Sequence, residues 1–150
     1  MTSTLYDNYK KLELSGTINL MNSGIYVMLV SGNYNPYGAG TYASHTVTGD
    51  IGLSTEVVDP LGGYTRGGKA LSNKSVGVGS PASSHVGYFD AADVVWTTTT
   101  ITASGAVVYQ SGATPATSYL IAWVDFGANY TSSNGSFTIS WNTAGIVNLA

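Results

Sequence analysis

The chain has 150 residues, of which 5 are basic and 8 acidic, for a net charge of −3. That balance excludes a general nucleic-acid binder, which needs a basic stripe to neutralise phosphates. An apolar content of 43% with 11% aromatics supports one packed domain and excludes disorder. The absence of cysteine excludes a disulfide framework, a thiolate metal site and a cysteine nucleophile.

The start of the chain has no apolar stretch of signal-peptide length, and Asp7 falls early in it. The longest apolar run, residues 25–30, is far too short to span a membrane. The expectation is a protein made and used without crossing a membrane. Leu5, Tyr9 and Leu12 recur at helical spacing, which predicts a helix over residues 4–15. Thr4 would cap it, Asp7 and Lys10–Lys11 suit its dipole, and Ser15–Gly16 would end it. Ile25-Tyr-Val-Met-Leu-Val30 then reads as a buried strand.

From about residue 31 to 63 the periodicity disappears into Gly, Asn and Pro, a long loop of the kind that carries function. After it, short strands are expected over residues 74–78, 85–89, 94–102, 106–110, 119–126, 137–141 and 146–149. Phe137-Thr-Ile-Ser-Trp141 alternates with period two and so has one buried face. Asn134–Gly135 before it is a tight-turn signal. Tyr119-Leu-Ile-Ala-Trp-Val-Asp-Phe126 is apolar on both faces, which marks a central strand or one covered by a partner. The expected fold is a single-domain, all-β antiparallel sandwich over residues 1–150, with jelly-roll or Greek-key-like connections. Residues 1–16 form its N-terminal helix or arm, and residues 17–150 its strand-rich body.

Chemistry is thinly supplied. Gly63-Tyr-Thr-Arg-Gly-Gly68-Lys69 fits seven positions of a phosphate-binding loop, but Ala70 replaces the magnesium-holding hydroxyl and no helix follows. It reads better as a glycine-rich hairpin or bulge. Asp90 and Asp93 offer two carboxylates near His85, yet both occupy turn positions, and His45 is the only other histidine. Ser83-Ser84-His85 lacks the elbow that would make a nucleophile. Asp125, inside an apolar strand, needs Arg66, a lysine, backbone N–H groups or water. Sequons begin at Asn73, Asn129 and Asn134 and matter only in a glycosylating secretory route. No cofactor or metal is expected.

Two features point to contact instead. The chain carries 18 Ser, 18 Thr, 19 Gly and 10 Asn, and beyond Val94 its only charged side chain is Asp125. A neutral, hydroxyl-rich surface repels its neighbours weakly and suits an assembly. Tyrosines, which combine a large apolar ring with a polar tip, make Tyr34, Tyr37 and Tyr42 of the long loop the candidate contact surface, together with Tyr6 and Tyr9.

The order of several segments is similar to a family of small virion proteins of tailed bacteriophages. Those segments are Gly-Gly-Tyr-Thr-Arg-Gly-Gly-Lys-Ala-Leu-Ser-Asn-Lys-Ser-Val (62–76), Phe89-Asp-Ala-Ala-Asp-Val-Val-Trp96, Ala106-Val-Val-Tyr109 and Leu120-Ile-Ala-Trp-Val-Asp-Phe-Gly127. Asn134-Gly-Ser-Phe-Thr-Ile-Ser-Trp141, Gly145-Ile-Val-Asn-Leu149, Leu5-Tyr-Asp-Asn-Tyr-Lys10 and Ile25–Val30 extend the likeness over nearly the whole chain. Departures fall in residues 32–42 and 57–62. The resemblance implies a non-enzymatic capsid decoration, or cement, protein on the outer surface of the shell, made in the host cytoplasm. Its implied partners are the major capsid protein and further copies of itself as a dimer or trimer, with neither nucleic acid nor membrane. The rival expectation is a tail or fibre adhesion module binding a host glycan through the tyrosines. A third is a virion hydrolase using Asp90 and Asp93.

Overall fold

A computed structural model describes residues 1–52, 54–80 and 83–149; the side chains of Ser80, Ser83, Ser84 and His85 lie outside the described set. Strand accounts for 46% of the chain, in two antiparallel sheets packed together, the all-β sandwich that the patterning predicts. The elements are β1 (Thr2–Leu5), α1 (Asp7–Leu14), β2 (Ile25–Val30), β3 (Lys69–Ala70), β4 (Ser75–Ser80), β5 (Ser83–Asp90), β6 (Val94–Gln110), β7 (Tyr119–Ile139) and β8 (Val147–Leu149). One sheet has the order β1-β7-β6-β2-β3 and the other β4-β5-β8. The chain changes sheet between β3 and β4, between β5 and β6, and between β7 and β8.

The centre is the β6–β7 hairpin. The sequence divides each of these strands in two, whereas the structure runs them through as 17 and 21 residues with shifts of register. Asn134–Gly135 is accordingly not a hairpin turn. Asn134 takes a positive φ of 48° within β7, Gly135 pairs with Thr99, and Thr98 across the ladder also has a positive φ. Left-handed residues in facing strands make a bulge as readily as a turn, which is why the dipeptide misleads. Thr99 is fully buried there, its hydroxyl 2.6 Å from Ser132 Oγ and donating to Gly135 O.

Both faces of the five-stranded sheet are apolar. Ile25, Val27 and Leu29 of β2 join Ala106 and Val108 of β6 in a large cluster against the second sheet, with Phe89, Val147 and Trp96. The alternate residues Met28, Val30, Val107, Leu120 and Trp123 form a second cluster on the opposite face, capped by Tyr34 and Ile51 of the long loop. The period-two rule thus applies twice, with a different cover for each face.

The N-terminus departs from expectation. Residues 2–5 are a strand, not the first turn of a helix: Thr2 pairs with Asp125 and Thr4 with Trp123. Thr4 therefore caps nothing, and Tyr6 occupies the helix N-cap without a side-chain bond. Extended pairing through Leu5 sends Tyr6 into the loop-covered cluster, while Tyr9, one helical turn later, enters the cluster facing the other sheet. Their relative exposures are 1% and 0%. Residues 1–16 are part of the body and not a detachable arm, and Tyr6 and Tyr9 are core residues and not contact residues. The helix stop is where the sequence places it. Gly16 sits at φ 69°, its N–H donates to Glu13 O, and Thr17 N–H reaches Leu12 O.

Truncating residues 1–16 is expected to cost well above about 5 kcal/mol, since two buried rings and an edge strand go together; chemical denaturation measures it. Gly68 gives a local test. At φ +71°, a Cβ there would stand 1.8 Å from Val27 O, whereas at Gly16 it would meet nothing within 4 Å. Gly68→Ala should cost on the order of 3 kcal/mol or more, and Gly16→Ala about 1 kcal/mol, in the same measurement.

Candidate functional site

The long loop owes its course to two carboxylates that fold it over the sheet. Asp50 accepts from the N–H groups of Thr46 at 2.7 Å and Val47 at 3.0 Å, closing the turn that precedes Ile51. Asp59 accepts from Leu61, Tyr64 and Thr100 N–H, which ties the end of the loop to β6. Burial works against both charges, but the backbone donors outweigh it and hold both carboxyls below the ordinary value of 3.8.

Under this loop lies a line of polar ring atoms. The Tyr6 and Tyr34 hydroxyls are 2.7 Å apart, and Tyr34 Oη is 3.1 Å from His45 Nδ1. Tyr34 is 6% exposed, so this member of the expected contact surface is also a core residue. Burial pushes its phenol up to about 12, against the opposing effect of the Tyr6 bond and with help from Asp50. A buried phenol with a partner secures a loop; it does not offer a surface.

Tyr37 and Tyr42 behave differently. Their rings stack with centroids 5.4 Å apart and 23° between planes. Tyr42 packs on the loop-covered cluster, while Tyr37 is 61% exposed. The pair lines an open groove of about 770 Å³ together with Trp123, Asp125, β1 and the start of α1. Trp123 and Asp125 share a face by their i, i+2 spacing on β7, a period-two signal present in the sequence but not used to find a site. Asp125 Oδ1 accepts from Gly127 N–H at 2.8 Å, so the backbone partner expected of it is the one it has. At the groove rim Lys10 Nζ is 3.1 Å from Asp7 Oδ1.

The glycine-rich segment 63–69 holds no phosphate-binding loop. Its Gly67 N–H is already used by the buried Glu56 carboxylate, which also receives the Tyr64 hydroxyl at 2.8 Å. Tyr109 Oη donates to Gly67 O at 2.7 Å. Lys69 donates to Val95 O at 2.6 Å and lies 5.9 Å from the centroid of the Trp96 ring. A carboxylate where a phosphate would sit repels the anion. Glu56, which the sequence does not single out, is the anchor of this corner.

Of the remaining candidates, Asp93 has a structural partner. Asp93 Oδ1 accepts from Trp141 N–H at 3.0 Å, and Trp141 Nε1 donates to Ala92 O, so this aspartate pins the corner after β7. Asp90 pairs with Ser75 across β4 and β5. The side chain of His85, and with it the Ser83-Ser84-His85 group, lies outside the described residues. Among the described residues no cluster of three or more His, Asp or Glu is placed to hold a metal ion. Among the described residues, too, no helix is long and apolar enough to cross a membrane.

A folded-state carboxyl held low contributes stability above pH 3.8 that is lost as pH falls through its own lower value. The thermal midpoint of the native chain should therefore exceed that of an Asp50→Asn/Asp59→Asn variant at neutral pH. The gap should close progressively below pH 3.8, as a calorimetric pH series would read. Compared with known protein families, with curated proteins and with solved structures, the chain finds no match.

Proposed function

We propose that the chain is a non-enzymatic structural protein of a tailed-phage virion, a decoration protein that binds the outer surface of the capsid shell and stabilises it. The observation that carries this reading is an uncovered strip of apolar sheet. Val76 pairs with Phe89, and Phe89 with Val147, so the three share one face of the β4-β5-β8 sheet. Phe89 and Val147 are core residues, which makes this the inward face. Two positions further along the strands, Val78, Gly87 and Leu149 continue the same face beyond the reach of the larger sheet. Val76 is 54% and Val78 87% exposed, and Leu149 is exposed as well. An inward face left open at an edge strand is surface of the kind a neighbouring subunit covers.

The rest of the surface agrees with this. With 9% of residues charged, the chain presents few groups that must be desolvated against a neighbour. The resemblance to small virion proteins names the neighbour, a major capsid subunit, with copies of this chain related by a symmetry axis of the shell. Stabilisation would follow by mass action, because a ligand of the assembled lattice that ignores free subunits favours the lattice.

Purified protein mixed with heads of the encoding phage that lack it should co-sediment with the heads and not with free capsid subunits. Val78→Asp, at an exposed position, should leave the thermal midpoint unchanged and lower attachment at least about tenfold. Protein that stays in the supernatant at every head concentration overturns the reading.

A further inference from the structure

From the groove between the long loop and β1 we infer a second binding site, for a neutral hexopyranose oligosaccharide. This goes beyond shell attachment and does not depend on it, because the groove and the β4 edge are formed by different strands of different sheets.

The inference starts from the way Tyr37 is held. A tyrosine that is 61% exposed normally samples several rotamers, but this ring is stacked on Tyr42, and Tyr42 rests on the buried cluster of Tyr34 and Trp123. The outer face of Tyr37 is thus a platform braced from behind, and little ordering entropy remains to be lost on binding. The negative face of an aromatic ring attracts the polarised C–H bonds on the flat side of a pyranose. A planar heteroaromatic ligand would stack equally well. The polar groups opposite decide between them.

Those groups are carboxylates and hydroxyls. Asp125 keeps Oδ2 without a hydrogen bond among the described residues; Thr2 of the edge strand pairs with it, and Thr4 pairs with Trp123 two residues before it on β7. Carboxylates that accept from vicinal hydroxyls, facing an aromatic platform, make a sugar-binding pair of walls. The charge of the groove narrows the class. Asp7 is already neutralised by Lys10 at 3.1 Å, which leaves Asp125 to set a negative sign. Anionic sugars and phosphate-bearing ligands are therefore repelled, while neutral hexoses and their N-acetylated forms are admitted. A volume of about 770 Å³, open along its length, takes a short stretch of chain and not just one ring.

The test is titration of the full-length protein with cellohexaose, maltohexaose, laminarihexaose and chitohexaose, with oligogalacturonate as the anionic comparison. Tryptophan fluorescence reports on Trp123, and calorimetry confirms the stoichiometry. At least one neutral oligosaccharide should bind with a dissociation constant of about 1 mM or tighter, and oligogalacturonate should bind more weakly than any of them. Tyr37→Ala should weaken binding about tenfold or more at an unchanged thermal midpoint, and Tyr37→Phe should restore it. Asp125→Asn should reduce discrimination against the anionic sugar. No binding by any neutral oligosaccharide, a preference for oligogalacturonate, or full affinity in Tyr37→Ala overturns the inference. Heads that bind the protein while the sugars do not leave the shell reading standing and remove this one; the reverse result does the opposite.

Discussion

The β6–β7 hairpin is apolar on both faces, and both must be kept from water. Most antiparallel sheets leave one side wet and meet the requirement by alternation. Here alternation delivers Val107 and Trp123 to one side and Ala106 and Val124 to the other, so two covers are needed. The three-stranded sheet and α1 provide one. The other is a loop with almost no regular structure. A loop can cover a sheet only if its own backbone groups are satisfied, which is the task of Asp50, Asp59 and Glu56. Five of the eight acidic residues, counting Asp93 and Asp125, accept from backbone N–H groups in this way.

That economy accounts for much of the chain's scarce acidic charge. It also explains the division among the tyrosines. Rings directed at the sheet become a second core, joined by hydroxyl contacts from Tyr6 through Tyr34 to His45. The ring directed away, Tyr37, inherits the rigidity of that core without sharing its burial. A binding surface on a loop is usually soft. This one is backed by packed aromatic rings, and its geometry is set before any ligand arrives.

Much of the framework is legible in the residues. The period-two text of β2 and of Phe137–Ile139, and the two-sided apolarity of residues 119–126, give the strands and their burial directly. What defeats local reading is pairing at long range. Residues 2–5 look helical because Leu5, Tyr9 and Leu12 share a helical spacing, yet β7 claims the first of them. Asn134–Gly135 has turn chemistry, but its partner Thr98 bends the facing strand, so a bulge forms and the ladder continues. For the candidate site, aromatic content led to the long loop and to Tyr37 and Tyr42, which line the groove. It could not separate them from Tyr34, since burial depends on the loop's path across β6 and β7, whose cluster residues lie 60 and more residues away in sequence. Trp123 and Asp125 were visible as neighbours on one face, and what lay opposite that face was not.

The pairing of Thr2 with Asp125 has a further consequence, for the order in which the molecule can be built. During synthesis β1 leaves the ribosome well before β7, the strand it must join. The hairpin of β6 and β7 closes between nearer segments and can form as soon as both are clear. Until then residues 2–5 are an unpaired edge-former carrying Tyr6 and Tyr9 exposed. Low charge offers that waiting segment little electrostatic protection from a second nascent chain. The same sparseness of charge thus makes the time before closure the vulnerable interval in the life of the chain.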